Sequence, residues 1–198
     1  MSYHLREHRH RFAIWAAARA SQRGFTTVGT LRDALQATDI QKVLSDPETL
    51  RISEDEFNEL HQRWCRLIRS RLRRRVAEAT YGRAAKLVAI YPKATVIMGE
   101  NCDSPLGRHL HPPIDRRLLK GLASSDRIAS PHKSEWRSIN WTGLTKVAYF
   151  RLIRQLRNAI PDDAPFWAIE EYWQPSEPMS VSGRRGQRLR GARQESDD

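Results

Sequence analysis

Ser53-Glu54-Asp55-Glu56 sets a serine three residues ahead of a glutamate, the reciprocal pairing that closes the first turn of a helix. Behind it, Phe57, Leu60, Trp64, Leu67, Ile68 and Leu72 recur every three to four positions. A segment with that rhythm folds as a long helix with one face turned to a core. The spacing predicts a helix from this box to about Ala77. Phe12, Trp15, Ala16, Arg19 and Ala20 outline an earlier helix ending at Gly24, which suits a left-handed cap. Thr30 opens a short helix carrying Leu31, Ala34 and Leu35, and Ile40 to Leu44 adds a turn before Asp46-Pro47. Thr80 caps a helix from Tyr81 to about Tyr91, which Pro92 must kink or end. Residues 99–112 read as a loop, 114–123 as a helix, 124–140 as irregular and 145–158 as a helix. Pro165 starts a last short one.

No run alternates with a period of two, so the expected fold is all-α. It is expected to form one domain over residues 1–174, with two helical lobes around a basic cleft. Residues near 1–30 and 140–173 would pair into one lobe and the middle helices into the other. From residue 175 the composition shifts to Pro, Ser, Gly and Arg, which reads as a basic flexible tail over 175–198. No window approaches 18 apolar residues, so no membrane span is expected, and the first six residues begin no apolar stretch of signal-peptide length. Cys65 and Cys102 are too few for a disulfide framework or a four-cysteine cluster. They read as reduced thiols of a cytoplasmic protein. Cys102, His109, His111 and His132 lack metal-ligand spacing, so neither metal nor cofactor is expected.

Lys and Arg outnumber Asp and Glu by 34 to 23, a net charge of +11. That balance predicts a polyanionic partner. Arginines stand at 63, 66, 69, 71, 73, 74 and 75 in the second half of the long helix, where acids are almost absent. Arg69, Arg73 and Arg74 are expected to grip phosphates, since the guanidinium fork matches phosphate oxygens. Arg184, Arg185, Arg188, Arg190 and Arg193 in the tail would add salt-sensitive, sequence-independent affinity.

In His111-Pro112-Pro113-Ile114-Asp115-Arg116-Arg117-Leu118-Leu119, Pro113 suits a first helical position and Asp115 then falls in the first turn. One reading makes Asp115 a helix-start device. The other makes it a carboxylate kept ionised by its basic setting, able to stabilise a developing cation.

Tyr81-Gly82-Arg83-Ala84-Ala85-Lys86-Leu87-Val88, then an apolar helix, then Pro113-Ile114-Asp115-Arg116 followed by Leu119-Lys120, resembles the core of the helix-hairpin-helix DNA glycosylase superfamily. The likeness covers residues 76–123. It implies that Asp115 is the essential aspartate, stabilising an oxocarbenium-like sugar or activating water. It implies that Lys86 is the Schiff-base lysine of members with lyase activity, with Lys93 second. Tyr81, Gly82 and Arg83 would form the DNA-contacting hairpin, and His109, His111 and Arg116 would line the cleft. The family's Gly-x-Gly hairpin is reduced to Gly82, and the iron–sulfur cysteines of one branch are absent. Some bacterial members act in phage defence on hypermodified cytosine.

A glycosylase flips its target base against aromatic faces. Trp136 and Trp141, in a segment without helical rhythm, are the expected platforms; Glu170 and Glu171 read mainly as surface partners of arginines. The expected protein is thus a monomeric glycosylase acting on double-stranded DNA. The rivals are a non-enzymatic DNA- or RNA-binding protein and a nuclease, the latter weakened by the want of a second carboxylate near Asp115 for a two-metal site.

Overall fold

The computed structural model describes residues 4–174 except Arg75 and Ala77. The basic tail and Arg75 therefore lie outside the described residues. Every regular element among the described residues is helical: α1 (Leu5–Gln22), α2 (Val28–Gln36), α3 (Ile40–Val43), α4 (Glu54–Arg73), α5 (Tyr81–Pro92), α6 (Pro105–His109), α7 (Arg116–Ser124), α8 (Lys133–Ser138) and α9 (Lys146–Arg157). Two 3₁₀ turns, Trp141–Gly143 and Phe166–Tyr172, and a wide-turned stretch, Lys93–Asn101, broken by non-helical backbone at Gly99 and Glu100, complete the set. None of these helices is long and apolar enough to cross a membrane.

The organising element is α5. Its small residues Ala84, Ala85 and Ala89 and its buried Leu87 and Val88 leave it covered on nearly all sides. A helix apolar around most of its circumference is stable only when enclosed. Here α1, α2, α4, α9 and the Trp141–Gly143 turn close around it. Trp64, Ile68 and Leu72 of α4 join the same continuous core, each contributing about 1.5–3 kcal/mol by leaving water. Because α1 packs on α5 and α2 while the Phe166–Tyr172 turn packs on α6 and α7, the described parts of residues 1–30 and 140–173 do not build one lobe by pairing with each other. They meet the middle of the molecule separately.

Local chemistry sets the helix ends. The Ser53–Glu56 box is fully formed, with Glu56 N–H donating to Ser53 Oγ and Ser53 N–H to the Glu56 carboxylate. The helix it opens stops at Arg73, short of residue 77. Thr27, not Thr30, caps α2, and the left-handed turn after α1 takes in both Arg23 and Gly24. α5 ends at Pro92 as expected, but the backbone stays helical into the wide-turned stretch that follows. Pro92 lacks an N–H, but the next donor, Lys93 N–H, reaches the carbonyls of Ala89 and Ile90, and the winding then widens. The segment expected to be irregular contains α8, and the expected 99–112 loop contains α6.

Candidate active site

Asp115 is the N-cap of α7, one residue before the helix and not inside its first turn. Its extended backbone lets Oδ1 turn back and accept from the amides of Arg117 (2.9 Å) and Leu118 (3.0 Å). Oδ2 faces the other way. It accepts from Lys86 Nζ at 3.0 Å and from the Trp173 indole N–H at 3.2 Å. The two oxygens thus divide two tasks: one holds the helix end and the other meets a cation. Both side chains are nearly enclosed, at 5% exposure for Lys86 and 10% for Asp115. The Lys86 ammonium also stands 4.6 Å from the centre of the Trp141 ring.

Two glycines make this approach possible. A Cβ on Gly82 would lie 2.0 Å from the Trp141 carbonyl oxygen. Its absence lets α5 dock on the Trp141–Leu144 turn, where Gly82 N–H donates to Leu144 O and Thr80 Oγ donates to Thr142 O. A Cβ on Gly121 would lie 1.9 Å from Tyr172 O. That glycine lets the Phe166–Tyr172 turn lie on α7 and carries Trp173 onto Asp115.

The environment drives the two charged groups in the same direction. Burial pushes the Asp115 carboxyl up, but the Lys86 charge, the Leu118 amide and the hydrogen bonds of Lys86 and Trp173 outweigh it, leaving it below the usual carboxylate value. Burial pulls the Lys86 amine down, Asp115 opposes this, and Arg23 and Arg117 reinforce it, leaving the amine easier to deprotonate than an ordinary lysine.

Seven residues after Lys86, two turns along the same helical face, Lys93 forms an ion pair with Glu170. Glu170 is largely buried, and burial raises its carboxyl above the usual range; Lys93 opposes that rise and the nearby Asp115 charge adds to it. Trp173 lies just past the Phe166–Tyr172 turn, in extended backbone, and its backbone N–H donates to Glu170 O at 2.9 Å.

Several expected contact residues are elsewhere. Tyr81 and His111 are core residues, in a network where His111 Nδ1 lies 3.1 Å from Tyr149 Oη, Tyr149 Oη 3.3 Å from His61 Nε2, and His61 Nδ1 3.2 Å from Tyr81 Oη. An apolar wall of Phe57, Phe150 and Phe166 encloses these rings, so neither Tyr81 nor His111 lines a surface cleft. Gly82 belongs to a helix turn packed on a neighbour, so it forms no exposed hairpin. Trp136 is 1% exposed, with its indole N–H donating to Gln155; its helical segment turns it inward, and Trp173, 39% exposed, replaces it beside Asp115. His109 ends α6, where its charged surroundings are Glu54, Arg157 and Arg108. Arg83 lies over the Phe25 ring at 4.0 Å. Arg69 Nε donates to Ala79 O. Arg73, Arg74 and Arg116 are exposed.

Lys86, Asp115 and Trp141, drawn from the sequence, come together, while Lys93 stands two turns along and pairs with Glu170. Sequence reasoning underrated Glu170 and Trp173. Their only early signal was the aromatic–acidic run Phe166–Trp173, whose register on a 3₁₀ turn depends on a contact with Gly121. No family model, curated protein or solved structure matches the chain.

Proposed function

We propose that this chain is a DNA glycosylase that flips a damaged or modified base and cleaves its N-glycosidic bond at the Lys86–Asp115 pair. The supporting observation is an ionised carboxylate, nearly excluded from water, with one oxygen committed to a helix end and the other accepting from a cation and the Trp173 indole. As the glycosidic bond breaks, the sugar gains positive charge. A fixed carboxylate in a low-dielectric setting stabilises that charge more than water does. Asp115 Oδ2 is the group for this task, and Lys86 keeps it ionised and oriented. The half-exposed face of Trp173 offers a stacking surface for the extruded nucleoside, while Trp141, buried under the Lys86 ammonium, backs the site.

The basic surroundings suit a duplex partner. Arg23 and Arg117 act electrostatically on Lys86, and Arg73, Arg74 and Arg116 face solvent. These groups meet phosphates, which position the duplex and carry no base information.

The test is base release from a panel of duplexes containing uracil, 8-oxoguanine, alkylated purines, or hydroxymethylated and glucosylated cytosine as in phage DNA, read as alkali-labile abasic sites. Abasic sites on one duplex establish the reaction. Salt-sensitive binding to every duplex with no base loss makes the chain a non-enzymatic nucleic-acid-binding protein. Borohydride trapping on an abasic duplex, with Lys86→Met as control, tells whether the Lys86 amine bonds to the sugar or only holds Asp115.

A further inference from the structure

Two Lys–carboxylate pairs stand in line along α5. Lys86 holds Asp115 at the mouth of α7, and two turns on, Lys93 holds Glu170 on the Phe166–Tyr172 turn. The second pair is tied to the first by more than sequence spacing. Trp173, whose backbone N–H donates to Glu170 O, donates its indole N–H to Asp115, and Glu170 lies within electrostatic reach of Asp115. Glu170 shows 16% side-chain exposure, less than half that of Lys93. A surface ion pair has no need of such enclosure.

Resting on the glycosylase reading, we propose that Glu170 is the second catalytic carboxylate of this site, the acid that protonates the departing base, with Lys93 positioning it. As the C1′–N bond breaks, its electron pair leaves with the base nitrogen, and Glu170 delivers its proton to that base. A water adds through oxygen to C1′, its surplus proton passes to the Asp115 carboxylate and on to solvent, and solvent reprotonates Glu170. The sum is hydrolysis: one water consumed, free base and a C1′-hydroxyl sugar formed.

The two carboxyls divide these roles because their surroundings differ. Asp115 has two backbone amides, an indole and a cation, all favouring its charge. Glu170 is enclosed, and its one cation, Lys93, works against that burial and against the negative charge of Asp115. Paired acids pushed apart in this way are the usual sign of one acid and one charged stabiliser.

The experiment is the pH profile of single-turnover base release, on whichever panel duplex the wild-type chain processes, for wild type, Glu170→Gln and Lys93→Gln. Duplex affinity and melting temperature are measured alongside. Glu170→Gln keeps the side-chain shape but has no proton to give. The expected result is a loss of about 10²-fold or more in rate at neutral pH, the size general acids contribute, with affinity within twofold of wild type and no alkaline decline. Lys93→Gln removes the cation that favours the Glu170 carboxylate, so the alkaline decline moves to higher pH. A Glu170→Gln rate within twofold of wild type, or an alkaline decline that stays in place in Lys93→Gln, overturns the role of Glu170 and leaves the glycosylase reading intact. If wild type releases no base, both fall. Should Glu170→Gln fail to fold, the Lys93→Gln shift decides alone.

Discussion

At the scale of single residues, the account turns on Asp115 doing two jobs with two oxygens. Asn at this position still caps a helix, so Asp115→Asn isolates the loss of charge. It leaves the buried Lys86 ammonium without its counter-ion, which costs about 3 kcal/mol in pairs of this kind. Lys86→Met is the milder change, since Asp115 keeps the Arg117 and Leu118 amides and the Trp173 indole. Urea unfolding of both variants should rank them in that order. Equal or reversed stabilities would show that Lys86 does not depend on Asp115 for its charge. Asp115 and Lys86 were legible in the sequence because a carboxylate after two prolines and a lone lysine in an apolar helix stand out by type. His111 and Trp136 were misplaced because a polar or indole nitrogen says nothing about depth: each found a partner inside the fold, the buried Tyr149 and the partly buried Gln155 respectively.

At the scale of elements, sequence periodicity located the helices well. The box at Ser53 and the cap at Thr80 both formed. What it missed were the short helices α6 and α8 and the contacts between elements. Gly121 looks like a weak point in a helix, yet it is the opening into which Tyr172 O fits. Gly121→Ala forces the Phe166–Tyr172 turn away from α7 and breaks the Trp173–Asp115 hydrogen bond. The expected cost is about 1–3 kcal/mol, as for other overpacked contacts, together with a change in tryptophan emission as Trp173 becomes more exposed. A variant with wild-type stability and emission would show that the turn does not need this opening. Pro92 teaches the same lesson. Read alone it is a helix breaker, but the chain continues helically past it, and that continuation keeps Lys93 on the face of Lys86.

At the scale of the whole molecule, two bulk properties have measurable consequences. The His61–His111 pair is neutral and enclosed. Burial pushes His61 down to about 3 and His111 well below its ordinary value. In the unfolded chain both titrate near 6.5, so the unfolded state takes up protons first and stability falls as pH falls below that value. Between pH 6.5 and 5.5 the pair should cost about 2 kcal/mol, checked by urea unfolding at the two pH values; a flat response would contradict neutral, buried imidazoles. The second property is the charge of +11. If six to ten phosphates are engaged, duplex affinity should fall about 10³- to 10⁵-fold between 50 and 200 mM salt. Changing Arg73 and Arg74 together to Ala should flatten that slope without altering which base is released. An unchanged slope would place the duplex on another face.

The measurement that bears most directly on the site is the single-turnover rate of abasic-site formation by Asp115→Asn against wild type, on the same duplex and at saturating protein. The account predicts a loss of at least about 10²-fold with duplex affinity retained or improved, because one negative charge has gone. Base release at the wild-type rate by Asp115→Asn would contradict it and reduce Asp115 to the N-cap of α7.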